Sequence, residues 1–300
     1  MGKAEDLLKQ MADLESKTGI KRTLLAVCPN SMSVIKAAFR AAKRNNAPIL
    51  FAATLNQVDR DGGYTGLNQF EFIRSLKNEA ESINYKGIYI AEVDHGGPWL
   101  KDIQAIEKWN IDRAMNAVKK SFEDAIAAGY DIIHVDPTVD IFLPEGETID
   151  IKTVVKRTIE LISHTENYRR AHNYPPISYE VGTEEVHGGL ANEAAFDIFL
   201  KELKEGLSKA GLNDVWPCFI VGKVGTDLHT TTFNKEVALK LSQKVKRFGS
   251  YIKGHYTDFV ENPKDYPLCG IGAANVGPEF TIDEYNALVE LEEIEQDINK

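Results

Sequence analysis

Short apolar runs recur along the chain, and each is followed by a polar or glycine-rich stretch and then by a segment with helical periodicity. Residues 88–93 are the clearest run, because apolar side chains continue along nearly its whole length, as in a strand covered on both faces of a parallel sheet. The eight runs lie at residues 24–28, 48–54, 87–93, 131–136, 176–181, 215–221, 251–254 and 269–274. Strands that alternate with helices in this way predict an α/β fold, and their number favours a single (β/α)8 TIM barrel over residues 1–300.

The segment before the first run has a different pattern. Residues 1–20 are charged and amphipathic, with Leu7, Leu8, Met11 and Leu14 on one face. This pattern predicts an extra N-terminal helix that caps the barrel, and its charges are not those of a signal peptide.

The C-terminal part of the pattern leaves one alternative open. The seventh and eighth runs are close together for a full helix between them, so an open doubly wound sheet is the alternative to a closed barrel. The nucleotide-binding fingerprint of such sheets is absent, since residues 270–272 read Gly-Ile-Gly without the third glycine in place. Beyond the eighth run, Thr281 and Glu284 have the spacing of a capping box, which predicts the start of the last helix there.

Composition narrows the class of partner. The chain of 300 residues has a net charge of −10, which disfavours nucleic acid and other polyanions. No apolar run approaches the ~20 residues of a membrane span. The cysteines, Cys28, Cys218 and Cys269, are odd in number and lie in apolar strand-like runs, so they are interpreted as buried thiols in a reducing compartment. A soluble, cytoplasmic protein is therefore expected.

Polar side chains follow most of the predicted strands at the point where each strand ends. In a barrel those ends meet at one face, which is where the chemistry is found. The candidates are Asp94, His95, Asp136, Glu180, Glu184, His229, His255, Asp258 and Asn275. Imidazoles from three strands, His95, His229 and His255, are a natural set of zinc ligands with an open position for substrate. His134 lies in mid-strand and is interpreted as a core imidazole.

Several of these segments carry a family resemblance. They are residues 56–58 (Asn-Gln-Val), 62–66 (Gly-Gly-Tyr-Thr-Gly), 94–98 (Asp-His-Gly-Gly-Pro), 133–136 (Ile-His-Val-Asp), 181–184 (Val-Gly-Thr-Glu), 255–258 (His-Tyr-Thr-Asp) and 276–278 (Val-Gly-Pro). With these motifs nearly the whole chain resembles the Z-type subunit of tagatose-bisphosphate aldolase, which has been described as non-catalytic. That family is itself similar to the zinc-dependent class II ketose-bisphosphate aldolases.

The resemblance implies roles for individual residues. In class II aldolases an Asp-His pair after a strand supplies an acid/base and a metal ligand, which makes Asp94 the proton donor and His95 a ligand of Zn²⁺. By the same resemblance, His229 and His255 occupy the places of the two further ligands. Those aldolases bind the substrate phosphate on Gly/Ser-rich turns after strands seven and eight. The turns here, at residues 255–258 and 275–278, lack that backbone nest.

Some members of the Z-type group are associated with C4 epimerisation of ketohexoses or their phosphates. The C4 hydrogen of a 2-ketose is not acidic, so inversion needs either a hydride cofactor, for which no motif is present, or cleavage of the C3–C4 bond. The expected function is a metal-dependent 4-epimerase or aldolase-type lyase acting on fructose, tagatose or their phosphates. Glu184 or Asp136 is expected to handle the enediol or hold a sugar hydroxyl. The expected hydroxyl binders are Asn56, Gln57, Glu180, Asp258 and Asn275.

Two other functions are weighed against this one. The chain can instead be a non-catalytic partner that stabilises a separate aldolase subunit, although a scaffold has no need of a histidine triad. A sugar kinase, a name attached to this family, is disfavoured because no Walker-type loop is present. The expected partners are a small sugar or sugar phosphate, together with a second copy of the chain or an aldolase subunit.

Overall fold

The computed structural model describes residues 2–144, 147–182, 192–227 and 230–298. Within these ranges eight parallel strands close into a barrel in chain order, with the first strand paired to the last. The strands are β1 (Leu24–Val27), β2 (Ile49–Thr54), β3 (Tyr89–Gly96), β4 (Ile132–Val135), β5 (Ser178–Val181), β6 (Phe219–Val221), β7 (Tyr251–Gly254) and β8 (Ala273–Val276). The closed barrel is confirmed, and the open sheet is excluded by the β1–β8 pairing.

The helices of the described ranges precede β1, connect successive strands or follow β8. They are α1 (Lys3–Thr18), α2 (Met32–Asn45), α3 (Gln69–Ser82), α4 (Asp102–Ile106), α5 (Ile111–Ala128), α6 (Ile151–Ala171), α7 (Glu193–Lys209), α8 (Lys235–Lys246), α9 (Asp265–Leu268) and α10 (Pro278–Ile298). The close spacing of the last two apolar runs has a simple cause, because only the four-residue α9 separates β7 from β8. None of the helices in the described part of the chain has the length and apolar character that crossing a membrane requires.

Helix α1 covers the end of the barrel at which the strands begin. Ala4, Leu7 and Leu8 are buried there, against the first residues of several strands, including Leu24 and Ile90. Burying a leucine in this way stabilises the fold by about 1.5–3 kcal/mol. The packing does not continue along the whole helix: Leu14, on the predicted apolar face, is 45% exposed.

The interior of the barrel is unusual for this fold. The layer between strands and helices is packed with apolar side chains such as Phe39, Phe51 and Phe122, all fully buried. Inside the barrel, where branched aliphatic residues normally fill the core, Glu92 and Lys253 are fully buried. Buried charges are costly unless they are paired, so these residues indicate that the barrel interior supports a site.

Three strand boundaries differ from the sequence expectation by three residues or more. β3 continues to Gly96 through a register shift against β4, so Asp94 and His95 belong to the strand itself. β6 begins only at Phe219, and β8 begins at Ala273 rather than at residue 269. Asn275 therefore lies within β8, which ends at Val276, and residues 269–272 connect α9 to this strand.

The predicted capping box at the last helix is wrong. α10 already begins at Pro278, and the backbone N–H groups of Gly277 and Glu279 both donate to Asp258 Oδ1, each at 2.8 Å. Glu284 instead accepts a hydrogen bond from Ser31 Oγ at 2.8 Å. The cap comes from a loop about twenty residues upstream, which a local sequence pattern cannot reveal.

The cysteines are free thiols, as expected, but their positions are more varied than the pattern suggested. Cys218 is buried just before β6, and Cys28 is half-buried just after β1. Cys269 is buried but follows helix α9 rather than lying in a strand.

Candidate active site

A pocket of about 340 Å³ opens at the end of the barrel where the strands finish. Its walls come from the ends of β1, β2, β3, β7 and β8 and from the first turn of α10. The lining residues are Cys28, Thr54, Asn56, Gln57, Tyr64, Asp94, His95, Leu100, His255, Tyr256, Asp258, Asn275, Gly277, Pro278 and Thr281. Seven of the residues predicted from sequence thus lie around one cavity: Asn56, Gln57, Asp94, His95, His255, Asp258 and Asn275.

The backbone of β3 is distorted where it delivers His95. The register against β4 shifts between Val93 and Gly96, and His95 has a φ of +48°, in the left-handed region that non-glycine residues seldom adopt. Two residues after His95 the chain requires glycine, because a Cβ atom at Gly97 would lie 1.8 Å from the carbonyl oxygen of Asp136. The bulge and this close approach bring the His95 ring against β4, where its Nδ1 lies 2.7 Å from Asp136 Oδ2.

His255 reaches the same point from the end of β7. Its Nε2 lies 2.8 Å from Glu180 Oε1, and its Nδ1 lies 3.0 Å from His95 Nε2. Each imidazole therefore has a carboxylate on its far nitrogen, and the near nitrogens face each other. A carboxylate on the outer nitrogen is the arrangement that orients histidine ligands of metals.

This pair of rings fits a metal ion on the chemistry of its donors. Asp136 and Glu180 hold the protons on the outer nitrogens, so His95 Nε2 and His255 Nδ1 direct lone pairs at each other over 3.0 Å. Such a contact requires a cation, either a shared proton or a metal. Two nitrogens on a tetrahedral zinc with Zn–N bonds of about 2.0–2.1 Å are about 3.3 Å apart, close to the observed separation.

The surrounding charges also favour a cation between the rings. Burial lowers the pKa of His95, but the carboxylates of Asp94 and Asp136 outweigh burial and raise it to about 9. Burial lowers the pKa of His255, whose ring faces that of His95. In the absence of metal, one proton shared by the two nitrogens satisfies both rings.

Asp94 lies beside the imidazole pair, with 2% of its surface exposed. Its Oδ2 accepts a hydrogen bond from Asn275 Nδ2 at 3.1 Å and lies 3.9 Å from His95 Nε2. Although burial raises the pKa of Asp94, the positive charges of His95, His255 and Lys253 hold it well below its usual range. The carboxylate is therefore ionised and faces the pocket.

A buried ion network lies beneath the pocket. Lys253 Nζ is 2.6 Å from both Glu92 Oε2 and Glu180 Oε2, and none of these three side chains is exposed. Burial lowers the pKa of Lys253, but the charges of Glu180 and Glu92 outweigh burial and raise the pKa above its usual value, so the amine is a cation. Glu180 is ionised, because the charge of Lys253 outweighs the effect of burial on its pKa, whereas burial and Glu180 raise the pKa of Glu92.

His134 completes this layer. It is a buried imidazole, as expected, but it also belongs to the site: its Nδ1 accepts the N–H of His95 at 3.1 Å and lies 3.2 Å from Asp94 Oδ1. Two groups of donor atoms therefore gather within 4.8 Å, one of Asp94, His134, Glu180 and His255 and the other of His95, His134 and Asp136. Most of those donor atoms are already paired with one another by hydrogen bonds. The facing nitrogens of His95 and His255, which lie at the pocket, are therefore the better place for an ion.

The remaining predicted residues divide into three sets. Asp136 and Glu180 do not line the pocket; both are buried behind a histidine. Asn56 and Gln57 line it, but their amides bond to the protein: Asn56 to Asp102 at 2.8 Å and Gln57 to the carbonyl of Pro29 at 3.0 Å. Glu184 and His229 lie outside the described residues.

Sequence reasoning did not single out Glu92 or Lys253. The available signal was a charged residue inside an otherwise apolar strand, since Glu92 stands between Ala91 and Val93, and Lys253 follows Ile252. A buried charge in such a strand is rare enough to mark a functional site.

Comparisons with known proteins agree with this architecture. One solved structure, a probable tagatose 6 phosphate kinase from Sinorhizobium meliloti 1021, is 26% identical with a TM-score of 0.71; the match covers 87% of this chain and 66% of that one. The chain thus spans slightly less than two thirds of that relative.

Two aldolase structures share the fold at lower identity. A fructose-bisphosphate aldolase from Campylobacter jejuni matches with 11% identity and a TM-score of 0.67, over 98% of this chain and 81% of that one. A putative fructose-1,6-bisphosphate aldolase from Coccidioides immitis matches with 13% identity and a TM-score of 0.56, over 90% and 80%.

The family model described as D-tagatose-1,6-bisphosphate aldolase subunit GatZ/KbaZ-like matches residues 8–300, nearly the whole chain. This match agrees with the motifs around Asp94 and His255 and relates the chain to the aldolases. The protein therefore belongs to the D-tagatose-1,6-bisphosphate aldolase subunit GatZ/KbaZ-like family.

Proposed function

We propose that the pocket carries out retro-aldol chemistry on a ketohexose, either with re-addition that inverts C4 or with release of the fragments. The observation that supports this most is the facing pair of His95 Nε2 and His255 Nδ1, 3.0 Å apart beside the Asp94 carboxylate. His229 remains the proposed third ligand. When bound by these histidines, a divalent ion, with Zn²⁺ as the expected one, would supply Lewis-acid polarisation of the C2 carbonyl.

Asp94 is the proposed base for the C4 hydroxyl. Its carboxylate borders the pocket, and the hydrogen bond from Asn275 fixes the direction of Oδ2. As the C3–C4 bond breaks, the C4 hydroxyl proton passes to Asp94, the C4 oxygen becomes an aldehyde oxygen, and the bonding pair remains on C3 as an enediolate. When C3 attacks the other face of the retained aldehyde, Asp94 returns the proton and the C4 configuration is inverted.

The two buried carboxylates act on the histidines rather than on the sugar in this proposal. Asp136 and Glu180 keep protons on the outer nitrogens of His95 and His255 and so hold the inner nitrogens toward the pocket. This arrangement supports a role in orientation for both, instead of the substrate contacts predicted from sequence. Glu184 remains a candidate for handling the enediol.

An aldolase that forms a Schiff base is the main chemical alternative, and it finds less support. That route needs a lysine that is uncharged and open to the substrate. Lys253 has no exposed surface, does not line the pocket, and has its pKa raised by two glutamates at 2.6 Å. Its environment favours a permanent cation over a nucleophile.

The test is incubation of the purified protein and a divalent metal with fructose, tagatose and their phosphates in D₂O, followed by NMR. C4 inversion with protium retained at C4 is expected for the retro-aldol route, whereas deuterium at C4 would contradict it. Accumulation of free trioses would identify a lyase. The same reaction with His255→Ala is the control, and turnover by that variant would count against the proposed site.

A second candidate function, support of a separate aldolase subunit, is favoured by the surface of α10. Within the described part of this helix no residue is buried, and Leu288, Leu291 and Ile294 are 61%, 60% and 56% exposed. Contiguous exposed apolar side chains of this kind commonly mark a protein interface. Loss of activity in a reconstituted aldolase complex after Leu291→Glu, with the isolated chain still folded, would support this function.

A further inference from the structure

The described lining of the pocket offers a phosphate no positive side chain beyond the two imidazoles of the proposed metal site. Its described lining contains neither lysine nor arginine but includes the carboxylates of Asp94 and Asp258. Residues 183–191 and 228–229, which lie outside the described structure, contain no lysine or arginine either. Phosphate recognition in proteins normally relies on such cations or on a helix N-terminus with free N–H groups.

The helix N-terminus at the pocket is already paired with an anion. In TIM barrels the loops after strands seven and eight and a following helix N-terminus frequently bind phosphate. Here the first N–H groups around α10, those of Gly277 and Glu279, donate to Asp258 Oδ1 at 2.8 Å each. The N–H of Phe259 in the preceding loop donates to Glu279 Oε2, also at 2.8 Å. Three N–H groups that could bind a phosphate are thus bonded to the protein's own carboxylates.

A further feature of the pocket calls for a hydrogen-bond donor. Asn275 is 5% exposed, and its Oδ1 is a buried acceptor without a partner among the described residues. The Nδ2 of the same side chain donates a hydrogen bond to Asp94. A sugar hydroxyl can donate to this oxygen, so the position fits a polyhydroxylated substrate; both a free ketohexose and its phosphates carry such hydroxyls, and the N-terminus of α10 therefore decides between them.

We propose that Asp258 takes the place of a substrate phosphate at the α10 N-terminus, so that the pocket accepts an uncharged ketohexose in preference to its phosphates. This inference rests on the proposed function and adds the substrate class. A phosphate at this position would have to displace Asp258 from the two N–H groups and then lie beside its carboxylate, with no lysine or arginine in the described lining to compensate the charge.

The first experiment compares substrates on the full chain with metal bound. Tagatose and fructose are expected to react with kcat/KM at least about 100-fold above that of their 6-phosphates and 1,6-bisphosphates. A preference for any phosphate would overturn the inference while leaving the retro-aldol function intact. Failure of every sugar to react would contradict the proposed function, and the second experiment would then decide the inference.

The second experiment measures binding of inorganic phosphate by ³¹P NMR titration and needs no turnover. The wild-type protein and Asp258→Asn, whose side-chain oxygen can still accept the two N–H groups, are expected to bind phosphate at least tenfold more weakly than Asp258→Ala. Asp283→Asn, on the exposed side of α10, is the control for loss of one charge without loss of the cap. Wild-type binding as tight as that of Asp258→Ala would overturn the inference.

Discussion

His95 Nε2 and His255 Nδ1 lie 3.0 Å apart, although both nitrogens are the acceptor sides of their rings. Asp136 and Glu180 produce this arrangement by accepting the protons on the opposite nitrogens. The contact is stable only with a cation between the rings, either a shared proton or a metal ion, so the geometry is compatible with the proposed metal site independently of family resemblance.

Substitution of Asp94, near the end of β3, and of His255, which follows β7, should separate metal binding from turnover. Asp94→Asn is expected to keep the metal and to lose catalysis by at least about 100-fold, as is typical for removal of a general base. His255→Ala is expected to lose both. Metal content by elemental mass spectrometry, measured beside activity, checks the difference, and equal metal loss in the two variants would contradict the assigned roles.

Removal of a carboxylate behind a ligand should weaken metal binding without removing the ligand. Asp136→Asn and Glu180→Gln are each expected to lower metal affinity by about 10–100-fold, measured by competition with a chromophoric chelator. Glu123→Gln is the matched control, because Glu123 lies 2.8 Å from the Nε2 of His164 away from the pocket. Unchanged affinity in the first two variants would show that the orientation of the rings does not matter.

The buried lysine should be important for stability. Lys253→Met leaves Glu180 without its cation inside the barrel, and breaking a buried pair of this kind costs about 3–5 kcal/mol of unfolding free energy. Lys120→Met is the control, since its partner Glu123 forms a surface pair worth at most about 1 kcal/mol. Urea unfolding measures both, and a similar loss in the two variants would be inconsistent with a charged Lys253.

Glu166 should make stability sensitive to acid. Burial raises its pKa, but hydrogen bonds from Arg169 and Arg170 lower it overall below the ordinary value of 4.5. A carboxyl whose pKa is lower in the folded state adds stability that is complete above about pH 4.5 and is lost as pH falls through the folded value. Glu166→Gln is therefore expected to show a smaller drop in melting temperature between pH 5 and pH 3 than the wild type. An equal drop would assign the acid sensitivity to other groups.

The sequence alone was sufficient for the architecture and for part of the site. The alternation of apolar strands with amphipathic helices is a local pattern, and it predicted the barrel because each strand must be covered on both faces. Asp94 and His95 could be recognised for a similar reason, since an acid and an imidazole followed by two glycines interrupt an apolar run. These features depend on residues close together in the chain.

The contacts that define the site's chemistry were decided only by the tertiary structure. Whether Glu92, His134 or Lys253 points into the barrel depends on strand register, and the turn of His95 toward Asp136 depends on a bulge against β4. The cap that Asp258 places on α10 joins segments about twenty residues apart. Register, bulges and such caps are settled by hydrogen bonds between distant segments, and no local stretch of sequence contains both partners.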